Sequence, residues 1–497
     1  MLERNESALK STSKPNIVIL MADQLRYDAL GPHTPYLEQL RKESVQFHNA
    51  YCASPLCVPA RGAFFSGRYP NETGCIINPW LPEELRHGTV PAGTPNLYKT
   101  LEQDWDSWHT GKQHYLTEEW RQSDTDGKTH WTATEKHYGQ YLKQHGKRAP
   151  GGKSFRGMTP EMAFGTTTRM KQYSAPNIGC YEEGFDYYFD GFFANASVEA
   201  LKNRDRSKPF ALNAMFLAPH PPLDIPEPWF SQFRPGEVEL PDNVGRWSPN
   251  QSPLQLYNLT GAIGSKYSRD DWQKVWPVYL GLVGLLDHCV GMVIEELKRQ
   301  QIYDDTLIIF TSDHGEMLGS HCLWQKMCMY EESVRTPLFI KFPKSFEPQI
   351  KECNDLVSAI DIFPTLCDYL DIPIPEGVSG QSLLPMLRGE ANERENIFIQ
   401  FDGNGARGNF QRAVLSGSYK LIVDIFKDET FLELYDVDGD PQEQVNLAFE
   451  PEQRVRVEKM LGMLREHMNR TGDLLEIEQD VYAAFLAKYD RFKKASK

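Results

Sequence analysis

Four short apolar runs constrain this chain more than anything else in it. They are Asn16-Ile17-Val18-Ile19-Leu20-Met21, Phe210 to Leu217, Leu307-Ile308-Ile309-Phe310 and Pro337-Leu338-Phe339-Ile340. Each is too short for a core helix and shows little polar alternation, which predicts strands buried on both faces, as a parallel sheet requires. Helical patterns stand between them. Residues 34–43 read as a helix with Pro35 early in its first turn. Val275 to Gln301 reads as a long one, with Val283, Leu286, Val290 and Val293 at helical spacing. Strands alternating with helices predict an α/β layered fold around a mostly parallel sheet sandwiched by helices. In such sheets, ligand sites lie at the carboxyl ends of the strands.

Two of these strand ends carry carboxylates. Asp23-Gln24 follows the first, and Asp313-His314-Gly315-Glu316 follows the third. Two carboxylates, an amide oxygen and an imidazole opening onto one crevice make an oxygen-rich site for a divalent cation. Taken singly, each Asp reads more simply as a turn former or helix cap.

The pattern changes near residue 390. Ile397 to Phe401, Ala413 to Leu415, Tyr419 to Val423 and Phe431 to Tyr435 are short strand-like runs, and a helical pattern returns from Pro451 to about Met468. This predicts a small antiparallel sheet with a packed helix, and divides the chain into a catalytic α/β domain, 14–390, and a small α+β subdomain, 391–497. The stretch 102–185, rich in Trp, Tyr, His, Gly and Lys, reads as irregular. Such stretches on a rigid scaffold are either plain surface loops or carriers of substrate contacts.

With 497 residues the chain exceeds one ordinary core. Its net charge of −15 and lack of a basic stripe exclude nucleic acid as the expected partner. No apolar run approaches the length of a membrane span, so no membrane partner is expected. Met1 to Lys14 is polar with no apolar h-region. The expected location is therefore cytoplasmic, or periplasmic if a leader has been trimmed away. The nine cysteines are scattered with no Cys-x-x-Cys pair, which predicts mostly reduced thiols.

One of those cysteines sits in an informative neighbourhood. Cys57-Val58-Pro59-Ala60-Arg61 is followed by Gly62-Ala63-Phe64-Phe65 and Ser66-Gly67-Arg68. A lone Cys is usually a small buried hydrophobe, and Pro and Gly are ordinary turn punctuation. The run nevertheless resembles the signature of the type I, formylglycine-dependent sulfatases of the alkaline phosphatase superfamily, with Ala60 where Ser is commoner. Other stretches resemble that family in order: Gly111-Lys112-Gln113-His114, Pro219-His220-Pro221-Pro222, Leu318-Gly319-Ser320-His321 with Trp324 and Lys326, and Tyr330 to Pro337. Asp361 with Phe363-Pro364-Thr365-Leu366, and Tyr435-Asp436 with Asp440-Pro441, extend the likeness to about residue 450. Gln24 stands where many sulfatases carry Asp, and His314 where many carry Asn. These departures resemble the choline-sulfatase-like and phosphonate-monoester-hydrolase-like branches. Singly, Lys112 reads as a surface charge, His114 and His220 as satisfied histidines, and Lys326 as a partner of Glu331 or Glu332.

The resemblance implies an alkaline-phosphatase-like fold and hydrolysis of a sulfate monoester, through a formylglycine hydrate and a covalent sulfoenzyme intermediate. It implies Asp23, Gln24, Asp313, His314 and residue 57 around one divalent cation. Calcium is the expected ion, with Mn²⁺ or Mg²⁺ as alternatives and a His ligand also admitting Zn²⁺. It implies 3-oxoalanine (formylglycine) made from Cys57 by a separate maturation enzyme. Arg61 would favour the alkoxide, Lys326 and His220 would neutralise and protonate the leaving oxygen, His114 would take the proton that lets sulfate depart, and Lys112 would hold sulfate oxygens. Asn78 reads equally as a substrate contact and as a turn residue before Pro79. Trp80, Trp105, Trp108, Trp120 and Trp131 read as stacking platforms for sugar, aryl or quaternary ammonium groups, or as core. The expected substrate is a carbohydrate or aryl sulfate. A phosphonate monoester or phosphodiester hydrolase, or a silent binding protein with an unmodified thiol, is the alternative. A homo-oligomer is compatible with all of these.

Overall fold

A computed structural model describes residues 14–118, 127–163, 166–390, 394–404, 406–407 and 409–489. Its centre is an eight-stranded sheet. The strands run in the order Glu352–Ser358, Val45–Tyr51, Leu338–Lys341, Thr306–Ser312, Asn16–Asp23, Phe210–Pro219, Asp106–Gly111, His130–Thr132. All are parallel except Leu338–Lys341, which is antiparallel to both neighbours. The expected mostly parallel sheet is therefore observed, and its three most apolar strands lie side by side at the centre.

Alternate residues of Asn16–Asp23 feed two cores. Val18, Leu20 and Ala22 pack with Leu282, Leu286 and Val290 of the helix Arg269–Arg299. Ile17, Ile19 and Met21 pack with Phe64 and Phe65 of the helix Cys57–Ser66 and with Ile362 and Phe363 of the helix Ile362–Tyr369. Each fully buried aliphatic or aromatic side chain contributes roughly 1.5–3 kcal/mol, so the two cores pin the sheet from both sides. The helix Arg269–Arg299 corrects one expectation. It is long and apolar enough to cross a membrane, but 83% of its most apolar window is buried inside the protein, where it serves as a core helix.

The stretch read as irregular is largely ordered. It holds the strand Asp106–Gly111, the helix Glu135–His145 and a hairpin of Arg156–Ala163 with Thr166–Ser174, against which Ala406–Arg407 pairs. In the C-terminal part, Asn396–Asp402, Asn409–Ser416, Tyr419–Phe426 and Glu429–Asp436 form the expected antiparallel sheet. The helix Arg454–Thr471 packs on its own core there, with Val457, Leu461 and Leu464 against Val414, Leu421 and Val423. Lys420 ties this sheet to the rest: fully buried, it pairs with Glu331 at 2.8 Å and Glu443 at 2.7 Å. All nine cysteines are unbonded.

Candidate active site

Four adjacent strands end on one edge of the sheet, and each delivers a polar residue there. Register pairs Ala22 with Ser312, so Asp23 and Asp313, one step on, lie side by side. Asp23 is level with Pro219, which puts His220 next along the edge. Gly111 pairs with Met215, and Lys112 follows. Only glycine permits that last approach: a Cβ on Gly111 would sit 1.9 Å from the Met215 carbonyl oxygen, and its φ is +91°. Gly315 is constrained likewise, with Glu332 O 2.0 Å from a built Cβ.

The helix Cys57–Ser66 points its amino end at this edge. Cys57 is its first residue and is 1% exposed. Its Sγ lies 3.2 Å from His314 Nε2, 3.7 Å from Lys112 Nζ and 3.8 Å from Asp23 Oδ1. One turn on, the fully buried Arg61 donates from Nε to Asp313 Oδ2 at 2.9 Å and from Nη2 to Asp23 Oδ2 at 3.0 Å. Lys112 Nζ also pairs with Asp23. Lys326 arrives from a loop, flanked by two residues with left-handed backbone, Gln325 at φ 68° and Met327 at φ 73°. Such backbone costs roughly 1–3 kcal/mol per residue and clusters where function demands it.

The donor groups of Asp23, Cys57, Asp313 and His314 lie within 4.8 Å of one another, all buried. His314 Nδ1 donates to Gly315 O at 3.0 Å, which leaves Nε2 facing the cluster. Burial disfavours the charged imidazole, yet Asp313 and Cys57 outweigh it and raise the His314 pKa. Two carboxylates, an imidazole nitrogen and residue 57 fit a divalent cation, which would displace that proton. Gln24, at φ 66°, sits at the same turn, and its Oε1 accepts from Lys326 Nζ.

The charges are strongly coupled. Burial would raise the Asp23 carboxyl, but Lys112, His220, Arg61 and His314 hold it well below its usual range. Burial and Asp23 push the Cys57 thiol up, and Lys112, Lys326 and His314 outweigh them to bring it below the ordinary thiol value. His220 and His114 are both held well below the usual imidazole value, first by burial, then by Lys326 and Lys112 for His220 and by Lys112 and Arg61 for His114. Both rings are neutral at pH 7.

These groups open into a cavity of about 320 Å³. Cys57, Asn78, Lys112, His114, His220 and Lys326 line it, whereas Arg61 does not reach the cavity and is engaged with Asp23 and Asp313. Asn78 Oδ1 accepts from Val58 N at 2.9 Å, tying the loop to the amino end of the Cys57 helix. Of the tryptophans, Trp80 lines the cavity, half-exposed and edge-on to Tyr173. Trp105 donates to Pro15 O, Trp108 to Asp106, and Trp131 packs at a tilt against the His109 ring; these belong to the scaffold, and Trp120 lies outside the described residues. The outer wall holds residues the sequence reading did not single out: Glu135, Phe155, Arg156, Gln172, Tyr173 and Phe189. For all but Phe189, which opens the helix Phe189–Asn203, the only sequence signal is membership of the Trp- and Tyr-rich stretch.

Residues 15–372 match the Sulfatase family model, and residues 319–470 match "N-sulphoglucosamine sulphohydrolase, C-terminal". An arylsulfatase of Clostridium perfringens is 26% identical over 91% of this chain and 94% of its own length. A choline-sulfatase of Rhizobium meliloti is 28% identical over 89% of this chain and 84% of its own. The crystal structure of a phosphonate monoester hydrolase of Agrobacterium radiobacter superimposes with a TM-score of 0.73 at 22% identity, covering 92% of this chain and 96% of that one, which shows a shared fold. The family model spans most of the chain and runs through Asp23, Cys57, Asp313 and His314, so this chain belongs to the sulfatase family of hydrolases.

Proposed function

We propose that the chain hydrolyses a sulfate monoester of a carbohydrate or aryl alcohol, after oxidation of Cys57 to formylglycine. One divalent cation, calcium in the first instance, would be held by Asp23, Gln24, Asp313, His314 and residue 57. The observation that carries this reading is the seat of Cys57, buried between the Asp23–Asp313–His314 cluster and the ammonium of Lys112, at the base of a cavity. The cation and the hydrated aldehyde supply charge neutralisation and an oxygen nucleophile when present. The side chains do the rest. Arg61 holds the two carboxylates in place from behind. Lys112 and Lys326 bring fixed positive charge to an anion that repels nucleophiles. His220 donates its Nδ1 proton to Pro221 O at 2.6 Å, so Nε2 is the atom that exchanges a proton with the leaving oxygen. His114, neutral at pH 7, is ready to accept one. The outer wall of aromatic faces (Trp80, Phe155, Tyr173) with the Gln172 and Asn404 amides suits a flat or sugar ring.

The test is a rate panel on aldehyde-bearing protein, comparing nitrophenyl sulfate, sulfated monosaccharides, phenyl phosphonate and a phosphodiester. Sulfate esters should be turned over fastest, and chelator should abolish the rate. A preference for phosphonate or diester would transfer the assignment to that chemistry.

A further inference from the structure

Glu316 is wholly buried three residues after Asp313, and both its oxygens are committed. Oε2 accepts from the Gln24 side-chain amide. Oε1 accepts from Leu318 N at 2.9 Å and from Gln325 N. On its other side, Gln24 accepts from Lys326 Nζ at Oε1, while its backbone N–H donates to Asp313 Oδ1 at 3.2 Å. The result is a closed ring: Glu316 to Gln24, Gln24 to Lys326, and Lys326 back through the Gln325 backbone to Glu316.

We propose that Glu316 is a positioning residue that dictates glutamine at position 24 and, through it, aims both the Gln24 oxygen and the Lys326 ammonium at the reacting groups. This rests on the cation reading given above. A carboxylate only accepts, so the group facing Glu316 must donate. The same group must present an acceptor toward Lys326 and the cation. An amide does both. A carboxylate at position 24 would set two buried like charges against each other, and one of them would have to take up a proton. This accounts for an amide here where many sulfatases carry a second Asp: the missing carboxylate stands one layer back, at Glu316. Exchanging the two side chains, Gln24→Glu with Glu316→Gln, reverses donor and acceptor and keeps the ring closed.

The experiment titrates Ca²⁺ by calorimetry into four proteins: parent, E316Q, Q24E and the exchanged pair. Their rates are also measured on aryl sulfates of graded leaving-group pKa. Each single substitution should weaken Ca²⁺ binding about tenfold or more, as loss of a hydrogen-bonded ligand support does. The exchanged pair should recover most of that loss, binding at least about tenfold tighter than the two single losses multiplied together. E316Q should also steepen the dependence of rate on leaving-group pKa in the direction of Lys326→Ala, and the exchange should restore it. Unchanged Ca²⁺ affinity in E316Q, or losses that simply multiply, would overturn the proposal. A parent that binds no Ca²⁺, Mg²⁺ or Mn²⁺ would sink the cation reading alone, and the leaving-group dependence would then decide for or against Glu316. If E316Q does not fold, a folded exchanged protein that binds Ca²⁺ supports the ring, and an unfolded one refutes it.

Discussion

Arg61 Nε meets Asp313 Oδ2 at 2.9 Å with both side chains buried, and the same guanidinium reaches Asp23. The planar fork of donors lets one cation bridge the ends of two strands. Arg61 is therefore part of what holds the cluster together, not merely a charge near it.

Removing that bridge should be costly. Arg61→Ala leaves two buried carboxylates facing each other, and breaking a buried ion pair costs about 3–5 kcal/mol. Arg61→Lys should recover only part, because a single ammonium cannot bridge both acids with the same geometry. Saturating Ca²⁺ should raise the thermal midpoint of the Ala variant more than that of the parent, since the cation replaces the lost charge. Thermal melts with Ca²⁺ and with chelator read this directly. An Ala variant as stable as the parent in chelator would refute the bridging role.

The protonation of His220 makes a kinetic prediction. Burial, Lys326 and Lys112 hold its pKa below the usual imidazole value, so the acid form is scarce at neutral pH. For aryl sulfates with poor leaving groups, kcat/KM should fall as pH rises through that low value. For good leaving groups, which need no proton, this limb should be absent. His220→Asn should flatten the limb and slow poor leaving groups by at least about a hundredfold, the lower end of general-acid contributions. An equal loss across the whole series would remove His220 from the acid role.

How far the sequence was legible follows from how each element is buried. Strands buried on both faces, such as Asn16–Asp23 and Thr306–Ser312, are continuous apolar runs and are legible directly from the sequence. Val45–Tyr51 (VQFHNAY), Asp106–Gly111 (DSWHTG) and Glu352–Ser358 (ECNDLVS) carry polar residues through the same sheet and gave no such signal. The hairpin 156–174 was hidden for another reason. It includes Pro160, leaves Met158 and Met170 exposed, and among the described residues its one further partner strand is Ala406–Arg407. The polar site groups were legible through family spacing, whereas the outer wall depends on which loop residues the fold turns inward. Glu316 was visible beside Asp313 and His314, but its role depends on a ring closed across 292 residues of sequence.

Asp190 supplies a stability test away from the chemistry. It is fully buried, its Oδ1 accepts from Leu217 N at 2.7 Å and Ala218 N at 3.0 Å, and its Oδ2 has no hydrogen-bond partner among the described residues. Burial pushes its carboxyl up to about 7. The folded state thus keeps a proton that the unfolded chain releases near pH ~3.9. Stability from this group is complete below that value and falls as pH rises toward 7, by at most about 1.4 kcal/mol per unit. Asp190→Asn keeps the Oδ1 acceptor and removes the titration. Urea unfolding should show the variant gaining on the parent at pH 8 relative to pH 5. A constant difference between the two pH values would contradict the assignment.

The burial of Cys57 dictates when it can be modified. The residue is 1% exposed, and Val58, Pro59, Ala60 and Arg61 are each at most 2% exposed or lie within the fully buried helix Cys57–Ser66. No enzyme can grip that segment while the helix is packed between the sheet and Ile362–Tyr369. The proposed oxidation to formylglycine would therefore have to act on the unfolded chain. Maturation enzyme added to folded thiol protein should leave Cys57 unchanged, while the same enzyme should convert a peptide spanning residues 50–70. Protein made without the enzyme should keep the fold, because a thiol and an aldehyde hydrate are similar in size. It should lose nearly all turnover, because a thiolate lacks the second hydroxyl through which His114 could drive sulfate away. Across preparations, kcat should rise in proportion to the fraction of residue 57 that reacts with an aldehyde probe, read by mass analysis of the tryptic peptide. Thiol-only protein with the turnover of the mature form would show that the formylglycine mechanism does not operate in this chain.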